Sequence, residues 1–166
     1  MARMIYAAMP ESAELQAAIG RVAVRRGQMD LVLRMTIKSI CEVSPEEARR
    51  ATVGIMSGQL RKRIEQLAKK RIGDGPALLR LQSLLHQCRD ASERRNGLLH
   101  GVFARELDGP ELFLPDGGDP GPVPTVSELD ALAADLEAVT KKLNFARLDG
   151  FLKDAIEQSK PIKAGS

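Results

Sequence analysis

Aromatic residues are scarce in this sequence. One Tyr, four Phe and no Trp make up 3% of the 166 residues. Proteins that bind single-stranded nucleic acid commonly stack its bases on aromatic side chains. The composition therefore argues against a stacking platform of that kind.

Cysteines are also few, and long apolar runs are missing. Cys41 and Cys88 form no CxxC pair, which excludes a disulfide scaffold and a cysteine-based zinc site. We interpret both as core residues. No apolar run approaches the roughly 18 residues of a membrane helix, and the N-terminal segment lacks the apolar stretch of a secretory signal. We therefore expect a cytoplasmic protein without a membrane segment, folded as one domain over residues 1–166.

Charge is distributed unevenly along the chain. The net charge is +3, yet residues 45–72 carry eight basic and three acidic side chains, whereas residues 106–158 carry four basic and twelve acidic ones. A basic segment can follow the phosphates of a nucleic acid. The alternative is that the surfaces formed by the basic and the acidic segments are simply solvated, or that they attract each other in an oligomer.

Apolar residues recur at helical spacing over most of the chain. The pattern predicts helices over about 11–41, 45–70 with a break near 55–58, 76–103, and 127–156 with a kink at Asp149-Gly150. Ser44 and Glu47 predict a capping box at the start of the second helix, and Ser127 is the expected cap of the last.

The segment between the third and last helices has a different pattern. Two short runs flank Asp108-Gly109, which predicts a β-hairpin over 105–114, and a loop rich in Pro and Gly follows over 115–126. Residues 1–10 and 160–166 are expected to be flexible. The predicted fold is all-α: a long antiparallel four-helix-type bundle with a small β-hairpin before the last helix.

The third predicted helix has an apolar stripe and a polar stripe. The polar stripe comprises His86, Arg89, Glu93, Asn96 and His100. Arg95 lies instead in the middle of the apolar stripe, where an unpaired cation is costly. Two interpretations stay open. Arg95 pairs with an acid of another helix, such as Asp30, Glu42 or Asp149, or its guanidinium is aimed at a phosphate or carboxylate.

The stretch 93–101 resembles the HEPN superfamily, a group of all-α bundles. The family signature is an Arg, four to six residues and a His, often with an Asn directly after the Arg. Arg95, Asn96 and His100 match this pattern. Some toxins of the family carry a Tyr two residues after the His, which partner enzymes modify. Val102 stands at that position here, so this mode of neutralisation is not expected.

The resemblance implies metal-independent cleavage of RNA, without a cofactor. His100 would move a proton at the 2′-hydroxyl or the leaving oxygen, Arg95 would stabilise the charged phosphorane, and Asn96 would orient the histidine or the phosphate. Sites of this family generally form across a homodimer. On an ideal helix Arg95 and His100 point about 140° apart, which agrees with the need for a second copy. Whether the protein binds an antitoxin or another protein partner is left open by the sequence.

Other polar residues are candidates for contacts with the substrate. Arg61, Lys62 and Arg63 would steer RNA, and Arg89 and Glu93 flank the motif. Two alternatives to the ribonuclease remain. The motif residues hold helices together in a non-catalytic interaction module, with His100 as a helix cap, or they bind a nucleotide or another anion without turnover. No metal site is expected, because His86, Glu93 and His100 are spaced about 10 Å apart along a helix.

Overall fold

A computed structural model of the chain describes residues 5–107 and 109–160. The chain is mostly helical, with one small antiparallel sheet. The elements are β1 (Ile5–Ala7), α1 (Ala13–Cys41), α2 (Pro45–Ala51), α3 (Ser57–Ile72), α4 (Pro76–Leu99), β2 (Gly101–Glu106), β3 (Glu111–Pro115), α5 (Val126–Leu148) and α6 (Phe151–Glu157). Among the described residues, no helix combines the length and the apolar character that crossing a membrane requires.

Contacts divide the chain into two compact units. The first consists of Met1–Arg26 and Asp90–Leu136, and the second of Gly27–Arg89 and Glu137–Ser166. Helices α1, α4 and α5 therefore each contribute residues to both units. The sheet belongs to the first unit, together with the segment that carries the HEPN-like motif.

The sheet is larger than the predicted hairpin. Strand β2 lies in the centre and pairs antiparallel with both β1 and β3. It begins at Gly101, four residues before the expected 105–114, and α4 ends at Leu99 rather than near residue 103. The aromatic rings of Phe103 and Phe113, a directly opposed pair, lie 5.3 Å apart. Pairing with β3 thus overrides a helical pattern that continues through Val102.

Strand β1 lies within the N-terminal segment that we expected to be flexible. The pairing of β1 with β2 continues one residue further, where the Ala8 amide donates a hydrogen bond of 3.0 Å to the carbonyl of Phe103. Beyond it, Glu11 forms an ion pair with Arg105 at 2.6 Å, and this pair holds the pKa of the Glu11 carboxyl below its ordinary value. Residues 1–4 and 161–166 of the segments expected to be flexible lie outside the described residues.

Gly101 marks the junction of α4 with the sheet. A Cβ atom at this position would lie 2.2 Å from the carbonyl oxygen of Leu114 on β3. No real side chain tolerates that distance, so the close approach of the two strands requires a glycine here. Sequence reasoning assigned Gly101 only to the end of a helix, which explains why this strand contact was missed.

Two helix starts show what local sequence can and cannot predict. The capping box of α2 is confirmed, because the Glu47 amide donates to Ser44 Oγ at 3.2 Å and the Ser44 amide donates to Glu47 Oε2 at 2.8 Å. At α5 the cap is Thr125 rather than Ser127. The Glu128 amide donates to Thr125 Oγ1, while the Thr125 amide and hydroxyl both donate to Glu128 Oε2. Both Thr125 and Ser127 are good capping residues, but only Thr125 has a Glu three positions later.

The remaining boundaries differ by a few residues. The break between α2 and α3 covers Thr52 to Met56 rather than 55–58, and α3 continues to Ile72. The loop before α5 ends at Thr125. This loop folds back beside β3, where Gly121 and Phe113 exchange two main-chain hydrogen bonds of 2.8 and 2.9 Å. The interruption expected at Asp149-Gly150 separates α5 from α6.

The core of the second unit is built mainly from aliphatic side chains. Its fully buried residues include Met29, Leu33, Ile40, Leu60, Ile64, Leu81, Leu143 and Leu152. Arg71 is also buried, and its guanidinium donates to Glu42 Oε2 at 2.8 Å and to the carbonyl of Ile156 at 3.3 Å. Glu42, one of the acids considered for Arg95, is therefore paired with Arg71.

The requirement for glycine at residue 101 can be tested by substitution. We expect Gly101→Ala to lower the free energy of unfolding by about 1–3 kcal/mol, because the added methyl group forces β2 and β3 apart. Gly97→Ala is the matched control. Gly97 lies in α4 with open space around its Cβ position, so this change should raise stability by roughly 0.5–1 kcal/mol. Urea unfolding monitored by circular dichroism measures both, and equal effects would contradict the close approach at Gly101.

The cap of α5 predicts a pH-dependent stability. Thr125→Ala should cost about 1 kcal/mol at pH 7, whereas Ser127→Ala should change the free energy of unfolding by less than about 0.5 kcal/mol. The main-chain amide of Thr125 and, to a smaller extent, its hydroxyl donate hydrogen bonds that lower the pKa of Glu128 below its ordinary 4.5, and Thr125→Ala removes only the bond from the hydroxyl. A lowered folded-state pKa means that the carboxylate stabilises the fold fully above pH 4.5 and loses this effect as pH falls through the lower value. The difference between Thr125→Ala and the unmodified chain should shrink over that acidic window, and urea titrations at several pH values measure it.

Candidate functional site

Arg95 and Asn96 lie near the end of α4, in the first unit. Arg95 is half-buried and Asn96 is exposed. Arg95 Nη1 donates to the side-chain oxygen of Asn96 at 3.3 Å. The Nε atom of Arg95 is buried, and among the described residues it has no hydrogen-bond partner. Adjacent motif residues thus contact each other, while one strong donor of the guanidinium stays unused.

His100 follows directly after α4 and precedes β2. Its amide donates to the carbonyl of Asn96 at 2.9 Å, which ends the last helical turn. Its Nδ1 atom lies 2.8 Å from Oδ2 of Asp116, and the Asp116 amide donates to the His100 carbonyl at 3.3 Å. Asp116 therefore holds His100 through both the side chain and the main chain.

The contact with Asp116 determines which imidazole nitrogen is accessible. The side chain of His100 is 58% exposed. Since Nδ1 faces the carboxylate, Nε2 is the nitrogen available to a solvent proton or a substrate. In general acid–base catalysis a carboxylate commonly holds a histidine at one ring nitrogen in this way, while the other nitrogen transfers the proton.

Sequence reasoning missed Asp116 because the predicted turn gives a different register. A two-residue turn at Asp108-Gly109 pairs residue 107 with residue 110 and hence residue 101 with residue 116, whereas the structure pairs Gly101 with Pro115. The next pair outward is His100 with Asp116. We ended the hairpin at residue 105, because the helical pattern of α4 continues to Val102, and so this pairing was not considered.

The position of His100 also changes the argument from the helical wheel. The angle of about 140° between Arg95 and His100 assumes a continuous helix through both residues. α4 ends at Leu99, and the strand pairing next to His100 fixes its main chain. The geometry of α4 alone therefore does not set the direction of the imidazole.

The other predicted residues are distributed over both units. Glu93 is exposed and belongs to the first unit, with Arg95, Asn96 and His100, whereas Arg89 belongs to the second. Arg89 contacts Nε2 of His86 through its guanidinium. Between Arg89 and Arg95, Arg94 forms an ion pair with Asp135 of α5.

The predicted basic segment of α3 lies in the second unit. Lys62 is exposed, while Arg61 and Arg63 are half-buried. Arg63 Nη1 donates to the carbonyl of Ala51 at 3.0 Å and so helps to end α2. Arg63 therefore has a structural contact within the protein in addition to its predicted role in binding RNA.

The two alternatives for Arg95 can be compared within the first unit. There, no carboxylate of a described residue forms an ion pair with Arg95. A half-buried guanidinium without a carboxylate retains its capacity to bind a phosphate or carboxylate. Over the described ranges 5–107 and 109–160, no three His, Cys, Asp or Glu side chains are grouped as a metal site would require.

Of the two cysteines expected in the core, the structure buries Cys88 but not Cys41. Cys88 is fully buried, and Cys41 is half-buried. Burial raises the pKa of the Cys41 thiol, so the reactive thiolate is disfavoured at neutral pH.

Comparisons of this chain with family models, with curated proteins and with solved structures return no match. The HEPN resemblance therefore depends on the motif residues Arg95, Asn96 and His100. The contact of His100 with Asp116 is an additional feature, which the motif does not include.

Removal of the Asp116 carboxylate should change the proton position on His100. In neutral His100 we expect the proton on Nδ1, because Asp116 accepts it. Asp116→Ala should shift the population toward the Nε2-protonated form, whereas Asp119→Ala in the same loop should not. Nitrogen-15 NMR of the imidazole distinguishes the two forms, with His86 as the internal reference. An unchanged spectrum in Asp116→Ala would contradict the contact.

Proposed function

We propose that this protein is a HEPN-like, metal-independent endoribonuclease that acts through Arg95 and His100 where two copies meet. The observation that carries the proposal is the accessible imidazole of His100, held at Nδ1 by Asp116. The guanidinium of Arg95, five residues earlier, supports it, because it contacts Asn96 and forms no ion pair with a carboxylate of the described part of the first unit. The finer fold that we propose is the long antiparallel bundle of this family, in a cytoplasmic protein.

His100 would transfer the proton in the reaction. The 2′-hydroxyl of the RNA loses its proton to a base and attacks the adjacent phosphorus. The bond from phosphorus to the 5′-oxygen then breaks, and that oxygen takes up a proton. The products are a 2′,3′-cyclic phosphate and a free 5′-hydroxyl. The Nε2 atom of His100 would carry out either proton transfer, and the contact of Nδ1 with Asp116 supports this assignment.

Arg95 would stabilise the negative charge that develops on the phosphate oxygens. Its half-buried position supports this role, since a charge acts more strongly where water is partly excluded. Asn96 contacts the guanidinium and would fix its orientation. Arg61, Lys62, Arg63, Arg89 and Glu93 remain the proposed contacts to the rest of the RNA.

A second copy of the chain would complete the chemistry. The reaction needs one group to remove a proton and another to donate one, and each chain contributes one His100. A homodimer would supply two such imidazoles at one site. An active protein that is strictly monomeric in solution would contradict this part of the proposal.

RNA cleavage in the presence of EDTA tests the proposed function. We expect His100→Ala and Arg95→Ala each to reduce the rate by about 10²-fold or more, and Asp116→Ala by roughly 10-fold to 100-fold. His86→Ala is the matched control, because His86 is a histidine of the same helix that is not proposed to act on the phosphate; since it contacts Arg89, we expect it to change the rate by no more than about threefold. All variants are compared at equal fold content and oligomeric state.

The outcomes separate the three candidate functions. Cleavage that survives His100→Ala, or that requires a divalent metal ion, would contradict the proposal. Binding of RNA or nucleotide without cleavage, lost in Arg95→Ala, would favour an anion-binding module. Absence of both activities, with unfolding or dissociation of the Arg95→Ala variant, would favour a non-catalytic interaction module.

A further inference from the structure

A second candidate site lies in the second unit and shares no residue with the HEPN-like motif. It is a groove of about 350 Å³, formed by α4, the C-terminal part of α5 and α6. Its walls are mainly apolar and include Leu84, Phe145, Ala146 and Phe151. A volume above about 300 Å³ and an apolar lining are typical of small-molecule sites.

The two phenyl rings reach the groove because the helix is interrupted. In a continuous helix Phe145 and Phe151 would be about 120° apart around the axis, by the helical period of 3.6 residues. The break at Gly150 separates α5 from α6 and allows both rings to line one groove. A Cβ atom on Gly150 would approach the Phe145 ring to 3.2 Å, so the glycine also permits the close fit.

Phe145 is exposed to an unusual degree for its size. It is 62% exposed, although a phenyl ring is among the side chains that most favour burial. Phe151 is covered on one face by the guanidinium of Arg80, whose central carbon lies 4.2 Å from the ring centroid. The groove thus presents one aromatic ring directly and a second ring below a cation.

The charged groups of the groove are all cationic. Arg80 and Lys142 line it, and no acidic side chain is among the lining residues that the structure describes. Within the described part of the second unit, neither cation forms an ion pair with a carboxylate. The neighbouring Lys141, in contrast, pairs with Glu137 at 2.6 Å. Two unpaired cations beside apolar walls are complementary to an anion with an apolar body.

We propose that this groove binds a small aromatic anion. The ring system lies against Phe145, and the anionic group lies between Arg80 and Lys142. An aromatic body is favoured over an alkyl chain, because phenyl rings and the guanidinium plane both stack on flat rings. The site is separate from the proposed ribonuclease function and does not depend on it.

Binding of 2-naphthoate tests the proposal on the full chain. The protein has no Trp, so the naphthalene fluorescence is measured without interference from tryptophan. We expect 2-naphthoate to bind at least about tenfold more tightly than the neutral 2-naphthalenemethanol, because only the anion pairs with the two cations. Lys142→Ala should weaken the binding of 2-naphthoate by about threefold to tenfold, whereas the adjacent Lys141→Ala should leave it unchanged.

Further variants and a competitor complete the test. Phe145→Ala removes an exposed ring, so the protein should stay folded by circular dichroism while 2-naphthoate binding falls by at least about fivefold. Equal binding of the anion and the alcohol would overturn the proposal. So would equal effects of Lys142→Ala and Lys141→Ala, or displacement of 2-naphthoate by octanoate at the same concentration as by benzoate, an aromatic carboxylate without a naphthalene ring.

Discussion

The first unit depends on the close approach of β2 and β3 at Gly101. The carbonyl of Leu114 occupies the space in which any other residue would place its Cβ atom. This approach ends α4 at Leu99 and starts the strand, because the main chain cannot continue a helix and pair with β3 at once. The next pair outward is His100 with Asp116. A steric constraint at one glycine therefore determines where the imidazole lies and which of its nitrogens is accessible.

The arginines of this protein differ in how deeply they are buried and in whether a carboxylate pairs with them. Arg71 is almost fully buried and donates to a carboxylate and a main-chain carbonyl, so it stabilises the second unit. Arg95 is half-buried and donates a hydrogen bond to the neutral Asn96. Arg80 lies on a phenyl ring. A cation left without a carboxylate keeps its attraction for an anion, and both proposed sites are inferred from that property.

Helices and their local signals were largely predictable from sequence, whereas long-range strand pairing was not. The Ser44–Glu47 capping box and the interruption at Gly150 follow from short-range chemistry, which the sequence displays directly. The strand β1 was missed because its three residues acquire their structure from a partner about 100 positions away. Arg95, Asn96 and His100 could be proposed from a motif, but the role of Asp116 required the register of the hairpin. Local propensity is a weak guide wherever tertiary pairing decides the conformation.

The alternation of the two units along the chain has a consequence for folding order. Each unit combines an early segment with a late one, so neither can be completed by the N-terminal half alone. During synthesis the strand β1 must wait until β2 has emerged, about 95 residues later, before it can pair. Closing a loop of this length costs chain entropy, and the contacts that offset this cost form only after the loop has closed. The chain therefore cannot be divided at one point into two fragments that each contain a whole unit.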